Sequence, residues 1–297
     1  MSKFRVRIPA IASEWRPLFK PERFGRYVND HSLVRHTDGR WHLFGITSHA
    51  EEGADYAECE RYFVHAAGPL WGDEPMREVG KCCDNGVRAW APGVIQHGER
   101  YFMHYGPSPM RMATSFELGH WMEHTPTISG APLDSCHRDS MVLKVDDNRW
   151  LMYITGIDDN RYGVVSVLES NDLVNWTFLR FALGTSGNAP YNPPWGATES
   201  PYVVKIEDVY YLFITYTDCK HGNYHNTLVF CSEDPTNFGN YTGDNEKELV
   251  IARIHAHAPE VIEEDGQWYI TTCGWRGYNT PVEGGVAVAK LEWIDGN

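Results

Sequence analysis

The sequence predicts an all-β chain, a single five-bladed β-propeller over residues 1–297 with four antiparallel strands in each blade. Two observations predict it. One pattern occurs five times: an apolar, β-branched run, a turn, an aromatic residue and a second apolar run. Helical periodicity is almost absent. The copies begin at positions 30, 90, 139, 199 and 257, so they lie 60, 49, 60 and 58 residues apart. A hairpin takes about 20 residues of such a period, and the rest supplies about two more strands, which makes a propeller blade.

The elements follow in order. A strand over Phe4–Ile8 precedes the first copy and is expected to complete the last blade and close the ring. The hairpins then run from Asp30 to Trp41, Trp90 to Tyr101, Asp139 to Trp150, Glu199 to Tyr210 and His257 to Trp268, with 11 positions between lead residue and aromatic in every copy. Their turns are Asp38-Gly39, His97-Gly98, Asp146-Asp147-Asn148, Glu207-Asp208 and Asp265-Gly266, which are hairpin turn signals. Three copies carry a similar second half, Ala113 to Trp121, Leu168 to Trp176 and Phe230 to Phe238: a strand, a turn led by Ser or Asp, then an aromatic opening the outer strand. The C-terminal segment Gly285 to Trp293 reads as strand.

Composition excludes several functions. A net charge of −14 is a poor match to a phosphate backbone, so no nucleic acid is expected as partner. No apolar run approaches the ~18 residues of a spanning helix, so no membrane is expected either. The 14 His would cancel the acidic surplus if all were protonated, so solubility should fall in mild acid. Aromatic residues make up 13% of the chain, which favours strands and suggests ring-stacking surfaces. The N-terminal residues lack the apolar core of a signal peptide, and the seven Cys form no Cys-x-x-Cys pair. Reduced thiols in a cytoplasmic protein are the expectation.

The innermost strand of each blade lines the propeller axis, so the lead residues Asp30, Trp90, Asp139, Glu199 and His257 should gather at one end of it. Three carboxylates around one cavity push at least one pKa up and divide the labour between an acid and a base. Paired carboxylates flanking a scissile bond are the usual equipment of glycoside hydrolysis. A calcium cage also takes clustered carboxylates, but Trp90 and His257 are odd members of an all-oxygen set.

These segments resemble the five-bladed propeller glycoside hydrolases, families 43 and 62 and the related families 32 and 68. The resemblance lies in Asn29-Asp30, Ala91-Pro92-Gly93-Val94, Arg138-Asp139, Glu199-Ser200-Pro201 and His257-Ala258-Pro259-Glu260, one motif per blade. Trp90-Ala91-Pro92 looks like family 43. Asn29-Asp30 and Arg138-Asp139 look more like family 32, although Ser140 and Ser200 stand where that family has Pro and Cys. The resemblance implies Asp30 as general base or nucleophile, Asp139 as the residue that tunes the acid and steadies the transition state, and Glu199 as general acid. It also implies that His257 sits at a pocket floor near a water or ion.

Asn29, Trp90, Arg138, Trp195, His257 and Arg276 are the candidate substrate-binding residues, with Tyr191 beside Trp195 in a stiff Pro-rich loop. His221, Tyr224 and His225 read as surface residues of a fourth-blade loop. No cofactor is required, and a structural ion near His257 is compatible with the sequence. The expected partner is an oligosaccharide or glycoside, and the expected reaction is hydrolysis of a furanoside or pentoside such as an arabinofuranoside, xyloside or fructofuranoside. A glycosyltransferring enzyme, a glycoside phosphorylase and a non-catalytic glycan-binding propeller would use the same scaffold.

Overall fold

The computed structural model describes residues 5–22, 26–48, 56–132, 136–186, 195–217, 224–275 and 280–296. Five antiparallel sheets form a ring, a five-bladed β-propeller. From the axis outward, blade 1 is Asn29–Arg35, Trp41–Thr47, Tyr62–Gly68 and Arg77–Cys82. Blade 2 is Trp90–His97, Arg100–Gly106, Arg111–Ser115 and Met122–His124. Blade 3 is Arg138–Asp146, Arg149–Ile157, Gly163–Ser170 and Asn175–Thr185. Blade 4 is Thr198–Ile206, Val209–Tyr216, Thr227–Ser232 and Ala252–Ile254. Blade 5 is Val261–Glu264, Gln267–Thr272 and Val286–Asp295, and N-terminal strands complete it. Arg7–Ile11 and Arg16–Phe19 both pair with Val286–Asp295, so the expected closure holds with a later starting residue.

The middle strands are nearly continuous apolar runs because both of their faces are buried. Side-chain alternation sends successive residues to opposite neighbours. In Arg100–Gly106, Tyr101, Met103 and Tyr105 pack toward blade 1, and Phe102 packs toward blade 3. The same happens around the ring, giving five apolar clusters, one between each pair of adjacent blades.

Two departures from the sequence reading concern register. The aromatic Phe238 does not open the outer strand of blade 4. Gly239–Tyr241 leaves that blade and pairs in parallel with Asn175–Thr185 of blade 3, and Ala252–Ile254 takes the outer position. The second departure lies at the axis. Each inner strand of blades 1 to 4 is interrupted by a one-residue bulge near its start, where Asn29, Trp90, Arg138 and Glu199 are paired before the break. The residue after each has positive φ: Asp30 (45°), Ala91 (45°), Asp139 (61°) and Ser200 (50°), with Ala258 (46°) at the same place in blade 5. Non-glycine residues adopt this conformation at a cost of roughly 1–2 kcal/mol each.

The structural equivalence is therefore not the one that the 11-residue spacing suggests. Asn29, Trp90, Arg138, Glu199 and His257 form one tier, and Asp30, Ala91, Asp139, Ser200 and Ala258 form the next. Blades 1 and 3 carry one extra residue between bulge and aromatic. In blade 1 it lies in the longer turn between the paired residues Arg35 and Trp41, and in blade 3 in a second bulge between Lys144 and Asp146.

Candidate active site

The bulges aim the two tiers at the axis, because an unpaired residue in a strand re-directs its side chain. A cavity of about 450 Å³ opens there, lined by Asn29, Asp30, Ile46, Glu60, Trp90, Cys136, Arg138, Asp139, Trp195, Glu199, Tyr224 and Trp275. Seven of the sequence candidates thus meet in one space: Asn29, Asp30, Trp90, Arg138, Asp139, Trp195 and Glu199. Beyond Asp30 and Asp139 the axis narrows to a channel of about 80 Å³ floored by Ser32, Gly93, Ser140 and Glu260.

The three carboxylates are tied together by two residues. Arg138 Nη2 donates to Glu199 Oε1 at 3.1 Å, and its Nε lies 3.5 Å from Asp139 Oδ2. Its Nη1 donates to the carbonyls of Cys136 and Trp195, both at 3.1 Å, so the planar fork also anchors the chain on either side of the cavity. Ser200 does the rest. Its backbone N–H donates to Asp139 Oδ2 at 3.0 Å, and its hydroxyl donates to Asp30 Oδ1. Thr155 Oγ1 adds a hydrogen bond to Asp139 Oδ2 at 3.2 Å.

Electrostatics follow from this packing. Burial pushes the Asp30 carboxyl well above the usual carboxylate range, Asp139 and Glu199 push it the same way, and the Ser200 hydroxyl and Arg138 oppose them. Burial also raises Asp139, with Glu199 adding to the rise, while Arg138, the Ser200 N–H and Thr155 pull it down. Burial works against the charge on Arg138, but the carboxylates of Asp139, Glu199 and Asp30 outweigh it and keep the guanidinium protonated. The cluster is one cation among three acids, closed to water on the Asp139 side (5% exposed) and more open at Glu199 (21%).

The walls are aromatic. Trp195 is 45% exposed at the rim, and Trp90 is half-buried deeper in. Tyr224 was expected at the surface with His225, but it is 2% exposed and His225 is 6% exposed. The reason is local: the Tyr224 hydroxyl donates to Asn29 Oδ1 at 2.6 Å, and its ring stacks on His257 at 3.9 Å and 14°. His257 therefore stands behind Tyr224 and does not line the cavity. Its Nδ1 faces the Tyr224 carbonyl at 3.3 Å, and its Nε2 is buried with no hydrogen-bond partner among the described residues. Burial depresses its pKa to about 3, so the ring is neutral. Arg276, Tyr191 and His221 lie outside the described residues.

Glu60, Tyr224 and Trp275 line the cavity and were not singled out for it by sequence. Glu60 accepts from the Tyr27 hydroxyl at 2.6 Å. It follows a single helical turn, Tyr56–Cys59, in a connection outside the repeated hairpins, where no periodicity marks it. The thiols of Cys59, Cys82, Cys83, Cys231 and Cys273 are free.

An acidic, aromatic-walled cavity at the axis of a five-bladed propeller places this protein among the propeller glycoside hydrolases. The chain belongs to the glycosyl hydrolases family 43, whose pattern matches residues 73–296. Solved structures agree on the fold. The RS223 β-xylosidase superposes with a TM-score of 0.64 at 13% identity, covering 96% of each chain. A family 43 β-xylosidase/α-arabinofuranosidase from a compost microbial metagenome, in complex with xylotriose and calcium-free, gives 0.64 at 14% identity over 98% of this chain and 96% of that one. A sucrose-6-phosphate hydrolase from Lactobacillus gasseri gives 0.61 at 13% identity over 91% of this chain and 59% of that one. No curated protein matches the chain in sequence.

Proposed function

We propose that this family 43 glycoside hydrolase cleaves a furanoside or pentoside, with Glu199 as general acid and Asp30 as the group that acts on the anomeric carbon's other face. The observation that carries the reading is the convergence of Asp30, Asp139 and Glu199 on one cavity, held together by Arg138 and Ser200. Glu199 gives its proton to the glycosidic oxygen as the C–O bond breaks. Arg138, 3.1 Å away, receives the carboxylate that this leaves behind. Asp30 either takes a proton from an attacking water or itself bonds to the anomeric carbon, which sets inversion or retention. Asp139 faces the oxocarbenium-like charge from the buried side. Trp90 and Trp195 offer faces on which a sugar ring can stack.

Pentosides head the substrate list because two family 43 neighbours are described with xylose or xylotriose bound. The chain needs no cofactor for these steps. The buried, unpartnered Nε2 of His257 fits a structural cation or an ordered water behind Tyr224. An ion there would supply charge and rigidity to the cavity wall. The proposal extends to a single catalytic domain over residues 1–297 acting in the cytoplasm.

The test is a panel of nitrophenyl glycosides and oligosaccharides, with the anomer of the first product read by NMR. Asp30→Ala and Glu199→Ala should each lower turnover at least about 100-fold, the scale of acid–base catalysis. Wild-type rates in both variants on every cleaved substrate would overturn the assignment.

A further inference from the structure

The turn that joins the first two strands of blade 1 gathers metal-ligating side chains far from the cavity. His36 and Asp38 lie in the turn, and His42 lies in the strand that follows it. One ligand atom from each of the three lies within 4.8 Å of the other two. The turn is at the opposite end of Asn29–Arg35 from Asp30, roughly 20 Å away at about 3.3 Å per residue.

His42 supplies the second observation. It is 6% exposed, its Nδ1 is 2.8 Å from His65 Nε2, and its Nε2 is buried with no hydrogen-bond partner among the described residues. A buried ring nitrogen left unpaired is costly and calls for a physical reason. A histidine with one nitrogen held by a neighbour and the other left open has the arrangement of a metal ligand, in which the held nitrogen fixes tautomer and ring orientation.

We infer that His36, Asp38 and His42 form a binding site for a divalent transition ion of the zinc class, with His65 orienting His42 from behind. Two imidazoles and a carboxylate, with water in the fourth position, suit a tetrahedral zinc ion. Binding requires the His42 tautomer whose Nδ1–H donates to His65 Nε2, so that the Nε2 lone pair faces the ion. Asp38 Oδ1 already lies 3.2 Å from His36 Nδ1. Arg40 is the competing cation: its Nε donates to Asp38 Oδ2 at 2.8 Å and its Nη2 lies 2.7 Å from the same oxygen. That pair is exposed to water and therefore weak, so an ion can displace it. The turn's backbone also competes, with the Asp38 N–H donating to His36 Nδ1 at 3.3 Å and the Arg40 N–H to Asp38 Oδ1 at 3.0 Å. The ion joins turn to strand and pins one end of blade 1, which makes its effect one on stability and not on turnover.

The experiment is a Zn²⁺ titration of the EDTA-treated full chain by calorimetry, with thermal melts in parallel. The expected result is one site that His36→Ala and Asp38→Asn each weaken at least about tenfold. Arg40→Gln, which removes the competing cation, should tighten it. Zn²⁺ should raise the melting temperature of the wild type, with EDTA reversing the rise, and should have no such effect in the double variant His36→Ala/Asp38→Asn. Asp38 and Arg40 are exposed, so their variants leave the core intact, whereas His36 is half-buried with its ring on Tyr101, and the Asp38→Asn variant separates loss of zinc from loss of that contact. Glycosidase activity should be unchanged in all of them. Zinc affinity that is the same in wild type and double variant, or no binding by the wild type at about millimolar zinc, overturns the site.

Discussion

The Ser200 hydroxyl donates to Asp30 Oδ1 across 170 residues of chain, from the residue that directly follows Glu199. With its backbone N–H on Asp139, Ser200 ties blades 1, 3 and 4 at one point, and positive φ is what lets one residue do so. Ser200→Ala keeps the backbone bond and deletes the hydroxyl that holds Asp30 down. The Asp30 pKa then rises further. The acidic limb of the pH–kcat/KM profile should move to higher pH by about one unit, the worth of a hydrogen bond to a charged group. A limb that stays in place shows that the hydroxyl does not set the ionisation of Asp30.

Arg138 serves four acceptors with one planar group: Glu199, Asp139 and the carbonyls of Cys136 and Trp195. Lysine offers a point charge and cannot reproduce the fork. Arg138→Lys should lower kcat by about 100-fold, the cost of losing one preorganised donor at developing charge. Steady-state kinetics with intact circular dichroism checks this.

Glu260 sits in the narrow axial channel, accepts from the Leu33 N–H at 2.8 Å, and is pushed up to about 8 by burial against the pull of Leu33 and Ser32. The folded chain therefore keeps a proton there that the unfolded chain releases above pH 4.5. Stability from this group is fully present below about pH 4.5 and is lost as pH rises toward 8, on the order of 1 kcal/mol per pH unit. Glu260→Gln should flatten that decline. Urea melts of both proteins at pH 5 and pH 8 measure the difference, and equal slopes with pH would disprove it.

Gly93 faces the neighbouring blade so closely that a Cβ there would lie 2.1 Å from the backbone oxygen of Ser140. Backbone cannot yield as a flexible side chain can. Gly93→Ala should destabilise the fold by about 3 kcal/mol, the upper end of overpacking costs. An unchanged melting temperature would mean that the first strands of blades 2 and 3 separate freely.

Much of this was legible from sequence, and the failures have physical causes. The hairpins announced themselves through apolar runs and turn residues, and seven candidate residues do share a cavity. The bulges did not, because positive φ falls on Asp30, Ala91, Asp139, Ser200 and Ala258, where no glycine signals it. Counting back from Trp41 or Trp150 absorbs a longer turn or a second bulge as though it were strand, which moved Asp30 and Asp139 into the tier of Glu199 when their true counterpart is Ser200. Tyr224 was misplaced because its partners, Asn29 and His257, come from two other blades. Glu60 and Trp275 lie in connections, where composition carries no period.

The outer strand of blade 3 has a consequence for how copies of this molecule meet. Thr127–Ser129 pairs in parallel with its first residues and Gly239–Tyr241 with its last, from the two flanking blades. An open strand edge is a template for another chain. Here both ends of that template are taken by the molecule itself. Blade 3 is thus bolted to its neighbours, and only the short middle of its outer strand is left for edge-to-edge addition by another copy.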